Sequence, residues 1–230
     1  MSAVRYAAFL RNVNLGRPNS PTRVQLEDAF LASGAASAES FQVNGTLVFT
    51  VAPGVRPRAV AARACDVMRA SCGMREPVFV RRVEELRVLV ESDPFGEDRV
   101  PGLASCAVGA ASDGETASRK MQDQAPLRPG APLARADACC ITFLGASRQP
   151  MPALPFVTVR GDLELLRAEG THVLSVSRWV GRSAGSPNAW IERTLGEPAT
   201  TRNWRTVVRL VEKYSRRDGS FLRGDALTRP

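Results

Sequence analysis

The chain has 230 residues, of which 44% are hydrophobic and 23% are charged. That length suits one large or two small domains, and the composition is typical of a globular protein with a buried core. No apolar run reaches the roughly 20 residues of a membrane span, and the N-terminus leads into a strand pattern and not into a signal peptide. Five cysteines, an odd number without metal-site spacing, argue against a disulfide framework. We therefore expect a cytoplasmic protein with no membrane association.

A formal net charge of +8 raises the question of a nucleic-acid partner. The positive residues are dispersed, however, and no block of five or six like charges occurs. Nearly all of them are arginines, since the only lysines are Lys120 and Lys213. The charge pattern therefore disfavours nucleic-acid binding but leaves it open.

The first half of the chain has a clear order of predicted elements. Thr22 is a suitable N-cap for the first helix, with Gln25 as its capping-box partner. Asn44-Gly45 is a strong hairpin signal, and Gly73 should end the second helix. In chain order we predict a strand at 4–10, a helix at 24–32, strands at 40–43 and 46–51, a helix at 57–72 and a strand at 77–81. This βαββαβ order predicts a ferredoxin-like N-terminal lobe, residues 1–96, in an α+β protein.

The second half is less regular, but it also alternates between strands and helices. Residues 111–135, rich in small residues and proline, are predicted to form a long loop or insert. The other predicted elements are helices at 84–90, 163–169 and 188–195, strands at 103–108, 138–144, 157–160 and 172–177, and a final helix. We predict a second, degenerate α+β lobe at 97–214 and a flexible basic tail at 215–230, with a ligand site expected between the lobes.

The segment 199–207, Ala-Thr-Thr-Arg-Asn-Trp-Arg-Thr-Val, predicts the start of the final helix. Thr201 would be its N-cap and Arg202 its first residue, and Trp204 would begin an apolar stripe facing the core. Arginines in a first turn oppose the helix dipole, so they need a compensating negative charge. That charge would come either from Glu192 or Glu197, or from a bound anion.

Four phrases carry a resemblance to a known family. Residues 200–204 (Thr-Thr-Arg-Asn-Trp) resemble its C-terminal signature, and residues 6–16 resemble its opening strand and loop. Residues 41–49 are similar to its Gln-Ser-Gly-Asn-Val-Val-Phe hairpin, and residues 92–95 to its Asn-Pro-Phe. The family is the bacterial domain of unknown function 1697. The resemblance implies a two-lobed architecture and brings no assigned activity.

The chain departs from the family pattern where the family has glycines. Leu15-Gly16-Arg17-Pro18-Asn19 stands where the family usually has a glycine pair and a lysine. Arg11-Asn12 replaces its Arg-Gly, and Asn44-Gly45-Thr46 replaces its Ser-Gly-Asn. If those glycines let the backbone approach a phosphate, this chain would allow it less well.

The sequence lacks the residues and motifs that several kinds of catalytic or metal site require. His172 is the only histidine and falls in a strand pattern, so it is expected to be a partly buried sheet residue. There is no Gly-x-x-x-x-Gly-Lys phosphate loop and no Gly-x-Ser-x-Gly elbow. Cys139 and Cys140 would point to opposite faces of a strand, which makes a poor metal clamp. We expect no metal and no cofactor.

What remains is a polar constellation drawn from three places: the loop after the first strand, the hairpin and the start of the final helix. Its members are Arg11, Asn12, Asn14, Gln42, Asn44, Thr200, Thr201, Arg202 and Asn203. Arginine and asparagine side chains suit a phosphate or a carboxylate, so we predict a site for a small anionic ligand. The asparagines are equally well explained as turn residues.

Two other functions stay open. One is an enzyme acting on a phosphorylated or carboxylated metabolite, with Asp28 or Asp93 as general base. The other is nucleic-acid binding on an open sheet, which would need Phe9, Phe41 or Phe49 as an exposed stacking platform. Oligomeric state is not predicted by the sequence.

Overall fold

The computed structural model of the protein describes residues 3–96, 137–145 and 151–215. These residues form 11 strands and 5 helices in a mixed α+β arrangement with antiparallel sheets. The predicted strand at 103–108, the predicted insert at 111–135 and the tail beyond residue 215 lie outside the described residues. None of the described helices combines the length and the apolar character needed to cross a bilayer.

The first sheet is built from four N-terminal strands. They are β1 (Arg5–Leu10), β2 (Ala35–Gln42), β3 (Thr46–Val51) and β4 (Val78–Arg82). The order is β2-β3-β1-β4, and every neighbouring pair is antiparallel. One face is covered by α1 (Arg23–Ala32) and α2 (Pro57–Cys72), over a core that includes Phe30 and Phe49. β2 starts five residues before the predicted position, and two register shifts against β3 interrupt its pairing.

Local sequence signals set several of these boundaries. Thr22 and Gln25 form the predicted capping box of α1, and Gly73 ends α2 in the left-handed conformation. Gly45 has φ +70° in the β2–β3 turn, and a Cβ there would lie 2.8 Å from the Val13 Cβ. Only glycine fits this position, because a side chain would be both strained and blocked.

The second sheet has the order β11-β5-β8-β7-β6. Its strands are β5 (Ala138–Leu144), β6 (Phe156–Val157), β7 (Leu163–Glu169), β8 (His172–Ser177) and β11 (Ala199–Asn203). A small hairpin of β9 (Trp179–Val180) and β10 (Ser183–Ala184) lies beside it. The remaining helices are α3 (Val83–Glu91), α4 (Pro187–Leu195) and α5 (Trp204–Ser215).

The predicted helix at 163–169 is wrong, because this segment is strand β7. Its residues are good helix formers, but Leu163 and Leu165 are both buried in one apolar cluster, as the two-residue period of a strand requires. Glu164 points to the opposite side and forms a buried ion pair with Arg178, 2.6 Å between Oε2 and Nη2. Pairing with β8 therefore overrides the local helix propensity.

The predicted helix start at Arg202 is also wrong. Residues Ala199–Asn203 are strand β11, which pairs with β5, and the helix begins at Trp204. The Thr201 hydroxyl is hydrogen-bonded across the sheet to the Thr142 hydroxyl at 2.8 Å, so it does not cap a helix. The Asn203 side chain instead accepts the Arg205 backbone N–H at 3.0 Å.

The second face of the N-terminal sheet is closed by a core shared with the C-terminal sheet. The Phe9 and Phe143 rings stack with centroids 4.2 Å apart, and Trp204 meets Phe95 edge to face. Helices α3 and α5 complete this cluster, so Trp204 belongs to the core as predicted. Phe9 and Phe49 are completely buried, and Phe41 is partly buried against the same core, so none of the three is a fully exposed stacking platform.

Candidate functional site

Arg202 lies at the centre of the predicted constellation, but its guanidinium is fully used inside the protein. Nε donates to the Thr46 hydroxyl at 3.0 Å, and Nη1 donates to the Thr200 hydroxyl and the Thr201 carbonyl. Nη2 donates to the carbonyls of Leu10 and Asn44 at 2.8 and 2.9 Å. Burial lowers the pKa of Arg202 to about 10. This arrangement, which we call the Arg202 clasp, joins β11 to the end of β1 and to the β2–β3 turn.

Arg11 is held by two carboxylates. Its Nε and Nη2 donate to the two oxygens of Glu192 at 2.5 and 2.8 Å, and Nη1 donates to Glu76 at 2.6 Å. These hydrogen bonds raise the pKa of Arg11 and lower that of Glu192. Glu192 also accepts the Ala199 N–H at 2.8 Å. The expectation that Glu192 compensates an arginine of the final helix is therefore wrong, because its partner is Arg11.

The other predicted residues mostly contact one another or face solvent. Asn44 donates to the Gln42 side chain at 3.2 Å and accepts the Thr46 hydroxyl at 2.8 Å. Asn12 is exposed with φ 49°, and the Asn14 carbonyl accepts the Arg17 N–H at 3.1 Å, both as expected of turn residues. The fold brings most of the constellation together, yet Arg202 has no donor left for a ligand and the charge of Arg11 is already paired with two carboxylates.

A second concave region contains a hydrogen-bond donor that has no partner within the described chain. We call it the edge cleft: it lies along β4, between the first turns of α2 and the end of β5, and its volume is about 210 Å³. Its lining residues are Arg58, Ala62, Val78, Phe79, Val80, Arg81, Leu144, Gly145 and Thr171. None of these residues is acidic, and two are arginines.

Arg81 is a buried cation without a carboxylate partner among the described residues. It is 9% exposed, and its side chain donates only to carbonyl oxygens of the described chain: Val80 at 2.8 Å, and Leu144 and Thr171 at 2.7 Å. Within the described chain its Nε has no acceptor. Burial, and then the charge of Arg58, lower the pKa of Arg81 to about 10. Its guanidinium carbon lies 5.3 Å from the centroid of the Phe143 ring.

Arg58 adds a second positive charge to the edge cleft. It is exposed in the first turn of α2, where the helix dipole disfavours a cation, and that turn holds no acidic residue. Over the ranges that the structure describes, Arg58 forms neither a hydrogen bond nor an ion pair. The sequence did contain a signal for this site, since Arg81 follows Val78-Phe79-Val80 at an inward position of a strand.

Burial changes the pKa of three reactive side chains in the described part of the chain. Burial lowers the pKa of His172, whose Nε2 lies 3.8 Å from a Glu169 oxygen. Burial raises the pKa of the Cys65 thiol to about 11 and that of Cys140 to about 12, so both are protonated near neutral pH. In the described ranges no three potential ligand side chains lie together as a metal site would need.

Comparison with known proteins places the chain in a family. No curated protein matches it. A conserved bacterial protein from Streptococcus pneumoniae, SP0830, has a structure that aligns over 93% of this chain and 99% of its own, with 14% identity and a TM-score of 0.48. The family model "Protein of unknown function (DUF1697)" matches residues 3–128, more than half of the chain. The phrase at 200–204 lies outside that match, while the phrases at 6–16, 41–49 and 92–95 lie inside it. The chain therefore belongs to DUF1697, a family without an assigned activity.

Proposed function

We propose that this protein binds a small anionic ligand, bearing a carboxylate or a phosphate, in the edge cleft. The observation that carries the proposal is Arg81, a guanidinium 9% exposed with no carboxylate partner and no acceptor for its Nε within the described residues. Removing a cation from water costs several kcal/mol unless an opposite charge offsets it. A ligand anion would supply that charge.

The surroundings of Arg81 make the case stronger. The second cation, Arg58, repels it, and the opposing electrostatic effect of Glu85 is smaller. Two unmatched arginines beside an apolar wall are a common way to recognise a carboxylate or a phosphate.

This proposal keeps the predicted ligand class and moves its site. At the predicted place, an anion would have to compete with Glu192 and Glu76 for Arg11, or break the hydrogen bonds of the Arg202 clasp. At the edge cleft it displaces nothing in the described chain. An enzyme with Asp28 or Asp93 as general base is less well supported, because neither residue lines this cleft.

Two architectural assignments belong with the proposal. The order β2-β3-β1-β4, with α1 and α2 on one face, supports a ferredoxin-like lobe at 1–96 followed by a second α+β lobe at 97–214. The four described cysteines are all free, which supports the reducing cytoplasm of a bacterium as its location. The edge cleft would then lie between the lobes, where a ligand was expected.

Titration calorimetry with sodium phosphate and with sodium acetate tests the ligand class directly. We expect binding of at least one anion to the wild-type protein at low salt, and an at least tenfold weaker affinity for Arg58→Met. The matched control is Arg209→Met, which removes an exposed arginine of α5 that does not line the edge cleft. Absence of binding to the wild type, or equal binding by both variants, would overturn the proposal.

A further inference from the structure

The edge cleft contains an unpaired strand edge as well as two arginines. Among the strands that the structure describes, β4 stands at the end of its sheet and pairs only with β1. The Arg11 N–H donates to the Pro77 carbonyl, so alternate residues from Pro77 onward, Phe79 and Arg81, direct their backbone groups toward β1. The backbone N–H and C=O groups of Val78 and Val80 therefore point the other way, into the edge cleft.

Few of those outward groups have partners. The Val80 carbonyl accepts the side chain of Arg81 at 2.8 Å. The Val80 N–H and both backbone groups of Val78 make no hydrogen bond within the described chain, although Val80 is 8% exposed. Unpaired N–H and C=O groups along an edge strand form a ready template for pairing with a strand from another chain.

We propose that the ligand of the edge cleft is the C-terminal end of an extended peptide, added as a strand beside β4. Its backbone would pair with Val78 and Val80, and its terminal carboxylate would lie between the guanidiniums of Arg58 and Arg81. This inference rests on the proposed anion binding at the same site. It follows a known mode of recognition in which main-chain bonds give affinity and flanking pockets give selectivity.

The dimensions and lining limit the peptide to a short one. Two residues of a strand span about 7 Å, so pairing with Val78 and Val80 takes two or three ligand residues. A volume of about 210 Å³ exceeds what a lone carboxylate needs, and it suits a short chain with small side chains. Ala62, Val78, Val80 and Leu144 line it with apolar surface, which favours aliphatic over charged side chains.

Three peptide probes separate the parts of the inference. They are N-acetyl-trialanine with a free carboxylate, the same peptide as its C-terminal amide, and the free acid methylated on its middle backbone nitrogen. We expect the free acid to bind more tightly than acetate, and the amide at least tenfold more weakly than the acid. The N-methylated acid, which lacks one backbone donor, should bind at least threefold more weakly than the unmethylated acid. In the complex, hydrogen exchange of the Val80 amide should slow at least tenfold.

Each outcome bears on one claim. If acetate and phosphate bind through Arg58 but the free acid binds no better than acetate, the peptide inference is overturned and the anion site stands. If the amide binds as well as the acid, the claim that the two arginines bind the terminal carboxylate is wrong. Unchanged exchange at Val80 with a bound peptide would place the ligand away from β4. If no probe and no anion binds, the proposed function fails as well.

Discussion

Two arginines buried between the sheets have opposite surroundings. Arg202 donates every N–H to a carbonyl or hydroxyl oxygen of its own chain. Arg81 leaves its Nε without an acceptor in the described chain and lies close enough to Arg58 to be repelled by it. The first arrangement is complete within the chain, whereas the second leaves a donor that we propose is used by a ligand. A buried arginine therefore indicates a ligand site only when its donors are left over.

Breaking the Arg202 clasp should have the largest effect on the stability of the fold. Arg202→Met would leave the carbonyls of Leu10 and Asn44 and the hydroxyl of Thr46 without their donor, and we expect a loss of about 4 kcal/mol in the free energy of unfolding. Urea unfolding followed by circular dichroism measures it. Arg209→Met should change the midpoint very little, since Arg209 is exposed. Equal midpoints for the two variants would show that the clasp does not stabilise the fold.

The turn that the clasp holds should be the next most sensitive point. Gly45→Ala combines a positive φ with a contact of 2.8 Å to Val13, so we expect a loss of about 3 kcal/mol. Gly54→Ala has a similar φ, +84°, but open space around it, and should cost about 1 kcal/mol. The difference between the two variants in the same unfolding assay isolates the steric part. No difference would mean that the turn relaxes freely.

The Arg11 ion pairs should contribute less, because they are partly exposed. Glu192→Gln should lower the free energy of unfolding by about 1 kcal/mol at pH 7. The folded-state pKa of Glu192 is lowered by Arg11, so this contribution is present above the unfolded value of about 4.3 and is lost as the pH falls through the lower folded value. Wild type and variant should therefore converge below about pH 4. Glu212→Gln, at an exposed position of α5, serves as the control, and parallel curves for wild type and Glu192→Gln down to pH 2 would contradict the prediction.

The smallest expected effect is a gain in the free energy of unfolding, whereas the preceding ones are losses. Arg58→Met removes the charge that repels Arg81, so we expect a gain of about 0.5 kcal/mol at low salt that declines as salt screens the repulsion. Thermal unfolding at two salt concentrations measures it. A gain in stability together with lost anion binding would mark the edge cleft as a site that is strained without its ligand. A clear loss of stability would show that Arg58 has a structural partner.

The N-terminal half could be predicted well because its signals are local. The Thr22–Gln25 capping box, the Asn44-Gly45 turn and the Gly73 stop depend on residues within a few positions of one another. The secondary-structure predictions were wrong where pairing with residues distant in the sequence decides the conformation. Segment 163–169 became a strand because β8 pairs with it, and Ala199–Asn203 became a strand because β5 pairs with it. No local pattern carries that information.

The same division applies to function. The sequence by itself determined the family and showed which polar residues cluster near the end of β1. Only the tertiary structure decided that Arg202 is fully hydrogen-bonded, that Arg11 is paired with two carboxylates, and that Arg58 and Arg81, 23 positions apart, share a cleft. The physical reason is that the availability of a charged group depends on every donor and acceptor around it, and those neighbours come from elements far apart in the chain.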